Sequence, residues 1–119
     1  MKKNVSEEKL DRLFFALSDK TRRNMLAQLA TGEVTVSSLA EPYEMSLPAV
    51  LKHLAILRGA GLISEEKEGR IRRCKLDPKE LKRVSDWVSY YQKFWESQFD
   101  KLEEYLEKIE SYETKRTKK

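Results

Sequence analysis

The side chains of this chain that could do chemistry are few and mostly cationic. Among 119 residues there is one histidine, His53, and one cysteine, Cys74. A soft divalent metal site needs several nitrogen or sulfur ligands, and covalent catalysis needs a nucleophile beside an orienting base. One of each supplies neither, and no glycine-rich phosphate cradle occurs. The expectations are no metal site, no cofactor and no enzyme activity. His53 then reads as a groove-facing or a structural hydrogen-bonding side chain. What remains is chemistry suited to a polyanion: Lys52 beside His53, and Arg70, Arg72 and Arg73 around Gly69. Charge-assisted hydrogen bonds from such groups to phosphate oxygens are short and strong. Arg22 and Arg23, further upstream, read equally as phosphate contacts or as solvated charges.

These groups need elements to hold them, and local chemistry supplies the central one over Thr35 to Ile63. Leu39 and Ala40 form the apolar face of a helix starting near Val36, and Pro42 limits its continuation. Tyr43-Glu44-Met45 fills a break. Ser46 has the side chain to cap a second helix, where Pro48 is tolerated because first-turn amides have no intrahelical partner. Val50, Leu54 and Leu57 recur at i, i+4 and i+7 as a buried stripe, which leaves Leu47, Ala49, Lys52 and His53 turned partly outward. Gly59 and Gly61 end the helix. Two helices joined by a short turn, the second with a basic, small-residue face, form the arrangement that lets a helix enter the major groove.

Leu62 to Lys67 and Ile71 to Leu76 read as two strands around Glu68-Gly69-Arg70, with Gly69 free to take positive φ. On the second strand Cys74 and Leu76 share one face while Arg73 and Lys75 share the other. Arg70, Arg72 and Arg73 beside the tip suit minor-groove or phosphate contact. The plainer alternative is an edge strand guarded against aggregation by its charge.

The segment SLPAVLKHLAILRGAGLI, with the basic hairpin after it and ALSDKTRRNMLAQLATGEVTVSSLAEP before it, closely resembles the ArsR (ArsR/SmtB) family of bacterial winged helix-turn-helix repressors. The resemblance is continuous from about Leu10 to Pro78. It implies a mostly α fold with a small β-hairpin and a long C-terminal dimerisation helix. It also implies a homodimer that reads double-stranded DNA as an imperfect inverted repeat. Ser46, Leu47, Pro48, Ala49, Leu51, Lys52 and His53 would face DNA from the second helix, joined by Arg22, Arg70, Arg72 and Arg73.

The chain departs from the family pattern in three places. Lys20 stands where Asp-Pro-Thr-Arg would have its proline, a change that leaves the Asp19 cap intact. Leu47 and Leu51 replace a glutamine-like residue and a serine. Either they pack on thymine methyl groups, or Leu51 turns into the core beside Val50 and Leu54 and Leu47 packs at the helix start. Metal-sensing members place a cysteine pair near the first helix of the DNA-binding unit, or His and acidic residues on the last helix. Here the first location reads Ser37-Ser38-Leu39-Ala40-Glu41 and the last helix has no His. The resemblance is therefore to a metal-free subgroup of repressors and autorepressors with a long aromatic C-terminal helix.

Flanking elements follow from periodicity and caps. Ser6 to Leu17 carries Leu10, Leu13, Phe14 and Leu17 at helical spacing, and Asp19 caps a second helix to about Ala30. Thr31-Gly32-Glu33 is a turn before a very short strand at Val34 to Val36. Asp77-Pro78-Lys79-Glu80 is a capping-box-like start for a helix of about 30 residues, roughly 45 Å long. Along it Val84, Val88, Tyr91, Trp95, Gln98, Leu102, Tyr105 and Ile109 alternate in steps of four and three, and Trp87, Phe94, Phe99 and Leu106 widen the stripe. Some of these aromatics cover the chain's own first helix, but the stripe is broader than one small domain can bury. The expected dimer surface comprises Leu10, Phe14, Trp87, Tyr91, Phe94, Trp95, Leu102 and Tyr105.

The net charge of +4, with 37% of residues charged, permits nucleic acid without demanding it. No apolar run approaches the ~20 residues that cross a bilayer, and no signal-peptide core follows Met1-Lys2-Lys3-Asn4. A lone cysteine, unpaired or bridging two molecules, fits a reducing compartment, so a cytoplasmic location is expected. The organisation expected is one winged helix-turn-helix domain over 1–110 and a frayed, polar, basic tail over 111–119. Within the domain, the helix-turn-helix spans about 36–60, the wing about 62–76 and the last helix about 78–110. The functional reading is a homodimeric, sequence-specific DNA-binding repressor or autorepressor with no effector identified. The alternative is a winged-helix protein-interaction module.

Overall fold

The computed structural model describes the backbone over residues 5–117 and side chains over residues 7–114. The elements run α1 (Val5–Leu17), α2 (Lys20–Leu29), β1 (Val34–Thr35), α3 (Val36–Ala40), α4 (Leu47–Gly59), β2 (Ile63–Glu68), β3 (Ile71–Leu76) and α5 (Pro78–Thr117). The side chains of the basic 115–119 segment, and all of Met1 to Asn4, lie outside the described residues. Two units are separable, one ending at Ser85 and one beginning at Asp86.

In the first unit α2, α3 and α4 each start on a side-chain cap. Asp19 accepts from the Arg22 amide at 3.0 Å, Thr35 from Ser38 at 3.2 Å and Ser46 from Ala49 at 3.3 Å. Each satisfies one amide that the first turn would otherwise leave open. The turn between α3 and α4 is tied to α2, because the Tyr43 hydroxyl donates to the Gln28 side-chain carbonyl. Inside, Leu13, Met25, Leu39, Leu54, Leu57 and Leu62 are fully buried, so α1 to α4 and the start of β2 share one core.

The end of α4 shows why two glycines are not equivalent. Gly61 takes φ 77°, its amide donates to Arg58 at 2.9 Å, and the Leu62 amide donates back to Leu57 at 3.0 Å. That is a Schellman closure, with Leu57 and Leu62 both fully buried. A Cβ at Gly61 would lie 2.7 Å from Glu80 Cγ as well as carrying the left-handed penalty, whereas a Cβ at Gly59 meets nothing. Gly61→Ala is expected to cost about 1–2 kcal/mol, read as a lower urea midpoint at unchanged slope, with Gly59→Ala as the tolerated control.

The sheet is antiparallel with order β1-β3-β2. Ile63 pairs with Leu76 and Glu68 with Ile71, closing the hairpin over Gly69 at φ 60°, while Val34 pairs with Cys74. Cys74 is fully buried and its thiol is pushed up to about 11, first by burial and then by the Glu65 carboxylate. An intermolecular bridge therefore requires opening of the fold. Because the raised value belongs to the folded state, its contribution to stability is intact below the ordinary thiol value of 9.0. It is lost as pH rises from there toward about 11. Alkylation of the folded protein at pH 8 should be slow, and should reach the rate of a free thiol only in denaturant.

At the start of α5, Asp77 accepts from the Lys79 amide at 3.1 Å. The reciprocal half of the expected capping box does not form. Glu80 instead accepts from Arg83 Nε at 2.6 Å, and the Asp77 amide donates to the Leu62 carbonyl at 2.9 Å. The helix also continues past 110 to Thr117. In the second unit Val88 is the one residue among those described that is not fully on the exposed side. Trp95 is 50% exposed and Phe99 68% exposed, and Trp87 and Tyr91 stack at a tilt with centroids 5.0 Å apart.

Candidate nucleic-acid interface

Helix α4 is set by its caps at both ends and by the inner stripe of Val50, Leu54 and Leu57, all essentially buried. The opposite side carries exposed Ser46, Leu47, Pro48 and Lys52, with Ala49 half-buried. Leu47 is 56% exposed, so it does not pack at the helix start. Leu51 is half-buried: it touches the core and also lines the surface, which joins the two alternatives open for it in the sequence. Leu47 and Leu51 share a shallow groove with Val36 and Ser37 of α3 and with Arg70, Ile71 and Arg72 of the wing. The fold thus brings the start of α4 and the wing tip to one surface.

Not every cation expected there is available. Arg22, read from sequence as a phosphate contact or a solvated charge, is neither. It is 6% exposed, and its guanidinium donates from Nε to the Ala16 carbonyl at 2.8 Å and from Nη2 to the Phe15 carbonyl at 2.9 Å. These carbonyls close the end of α1, the Phe15 oxygen also accepting from the Ser18 amide at 3.2 Å, so the arginine serves as a tie between α1 and α2. Arg23 does similar work from the outside, donating to the Leu17 carbonyl at 2.7 Å. Arg72 also departs from the expectation of a phosphate contact. Its Nη2 donates to Glu65 Oε2, and Arg58 Nη1 donates to Oε1 of the same carboxylate at 2.8 Å. Glu65 is only 10% exposed as a side chain, so it links the end of α4 to both strands of the wing. Among the described residues, Lys52, Arg70 and Arg73 are the expected DNA cations that are exposed and enter neither an ion pair nor a side-chain hydrogen bond.

Sequence reasoning missed Glu65 and exposed Ile71. The first could have been found only from strand register, since Glu65 stands opposite Cys74 and so on the inward face. His53 lies half-buried with Nδ1 3.1 Å from Arg22 Nη1 and 3.9 Å from Asp19 Oδ2. The Asp19 carboxyl is held below its usual value, chiefly by the Arg22 amide. Among the described residues no group of three or more His, Cys, Asp or Glu converges as a metal site, and no helix is long and apolar enough to cross a membrane.

A capped helix-turn-helix, a three-stranded sheet whose hairpin forms a wing, and a long terminal helix define a winged helix-turn-helix protein. Residues 19–65 match the bacterial regulatory proteins of the arsR family. The chain is 33% identical over 79 residues to the transcriptional repressor SdpR of Bacillus subtilis (strain 168), covering 66% of this chain and 88% of the relative. It is 39% identical to the ArsR family transcriptional regulator RHA00566, whose crystal structure superposes with a TM-score of 0.73 over 82% of this chain and 98% of that one. The homodimeric winged helix-turn-helix domain Mb0332 of Mycobacterium bovis shares the fold, with a TM-score of 0.58 at 24% identity, over 72% and 80% of the two chains. This chain belongs to the ArsR family of bacterial DNA-binding transcriptional regulators, and its relatives there are regulators rather than enzymes.

Proposed function

We propose that the chain is a homodimeric, sequence-specific repressor or autorepressor that binds an imperfect inverted repeat without the family's metal signal. The observation that carries the reading is the shared groove of Leu47, Leu51, Arg70 and Arg72, which puts the exposed face of α4 and the wing on one side of the first unit. Ser46, Leu47, Pro48, Ala49, Leu51, Lys52 and His53 then meet base edges and nearby phosphates, while Arg70 and Arg73 grip the backbone. A second copy covers Phe14, which is 38% exposed, together with Leu10 and the α5 stripe of Trp87, Tyr91, Phe94, Trp95, Leu102 and Tyr105. The homodimer described for Mb0332 and the repressor role of SdpR support this reading. Ser37 and Ser38 offer no thiolate where relatives place a cysteine pair, and α5 carries no histidine.

Selection of bound duplexes from a random pool tests the proposal. The expected product is a two-fold repeat with half-sites about one helical turn, ~10 base pairs, or a multiple apart. Zinc, cadmium or arsenite added to that complex under reducing conditions should leave affinity unchanged. Release at stoichiometric metal would disprove the metal-free part alone. Because Leu47 and Leu51 present carbon where relatives present polar groups, thymines should recur in each half-site. Replacing those thymines with uracil should cost ~1 kcal/mol, a loss that vanishes in Leu51→Ser. Equal binding of uracil at every position would assign both leucines to packing.

A further inference from the structure

We propose that Arg22 is a positioning residue for DNA binding: by donating to His53 Nδ1 it fixes the neutral imidazole as the Nε2–H tautomer, which presents an N–H donor from α4 to an acceptor atom of duplex DNA. The inference rests on the reading of α4 as the groove helix. A guanidinium has five N–H donors and no acceptor, so at the 3.1 Å contact between Nη1 and Nδ1 the ring nitrogen must accept. A neutral imidazole carries one ring proton, and that proton is then on Nε2.

The guanidinium is not free to turn away. Nε and Nη2 are held by the Ala16 and Phe15 carbonyls, and the Phe15 ring lies beneath the charge with its centroid 5.2 Å from Cζ. With those two nitrogens committed to α1, Nη1 is left for α4. The Asp19 carboxylate is occupied by the Arg22 amide at 3.0 Å and stands 3.9 Å from Nδ1, beyond hydrogen-bond reach. A proton on Nδ1 would point at Nη1–H, donor against donor.

Nε2 is differently placed. The His53 side chain is 21% exposed, and Nε2 is not among the buried polar side-chain atoms lacking a partner, of which Ser64 Oγ is the one found among the described residues. No described protein group bonds to Nε2, so it meets solvent on the turn of α4 that also carries exposed Lys52. A neutral N–H donor there selects an acceptor: a phosphate oxygen, purine N7, or the O6 or O4 of guanine or thymine. It rejects the amino groups of adenine and cytosine. A buried arginine far from the groove by sequence thereby sets what the helix asks of DNA.

With a single histidine in the chain, untagged protein labelled with 15N in the ring gives one imidazole signal pair. At pH 7.5 without DNA, Nδ1 is expected in the unprotonated range and Nε2 in the protonated range. A protonated Nδ1, or an even average of the two, overturns the proposal. Arg22→Leu should release the ring toward that average. Should that variant not fold, the tautomer measured in the unmutated protein and the His53 variants decide the matter.

Against a duplex recovered from the random pool, His53→Phe should bind about tenfold more weakly, while His53→Gln, which keeps an N–H near the Nε2 position, should stay within about threefold. Equal affinity for the Phe variant overturns the proposal. A loss spread over all duplexes at an unchanged salt slope identifies a phosphate acceptor, because a neutral donor releases no counterion. A loss confined to one base pair and reproduced by 7-deazapurine there identifies N7. If the unmutated protein retains no duplex at all, the groove-helix reading fails and the proposal fails with it, whereas the imidazole spectrum still reports the Arg22 contact separately.

Discussion

Trp95→Glu should yield a folded monomer that no longer holds operator DNA at concentrations where the unmutated protein is dimeric and bound. Trp95 is half-exposed on its own chain, so a carboxylate there can reach solvent in the monomer and far-UV helicity should persist. In a two-fold dimer the residue counts twice, once from each copy. Truncating a central interface tryptophan typically costs about 2 kcal/mol or more, and burying an unpaired carboxylate adds to that. The dimer dissociation constant should rise by about three orders of magnitude, measured by sedimentation equilibrium. A stable monomer for the unmutated protein at micromolar concentration would remove the premise.

Salt should govern DNA affinity steeply, but less steeply than a count of basic residues implies. Arg22 is buried against α1, and Arg72 is held by the Glu65 carboxylate that it shares with Arg58, which leaves Lys52, Arg70 and Arg73 from each protomer. Six phosphate contacts in a dimer give a slope of about −5 in log affinity against log salt, so affinity should fall about 10³-fold between 50 and 200 mM. Arg70→Ala should reduce the slope by about 2, once per protomer, and weaken all duplexes alike. Arg22→Lys should leave the slope where it is. A flat response would instead favour the protein-interaction module.

What the sequence determined by itself was everything decided within a few residues. Asp19 and Ser46 could be placed as caps because a cap needs only an oxygen three residues before an open amide. Gly69 could be placed at a hairpin tip because its neighbours alternate in strand fashion. The buried stripe of α4 followed from spacing alone, and the family resemblance rested on these same local signals. The tertiary structure decided the fate of the charges. Whether Arg22 is solvated depends on carbonyls at the end of another helix and on a histidine 31 residues away, and Glu65 meets Arg58 and Arg72 only once the wing has folded onto α4. Glu80 likewise forgoes the capping box because it lies over Gly61 and bonds Arg83. A charge has no periodicity to betray its partner: its energy depends on burial and on distances set by packing, which local sequence does not contain.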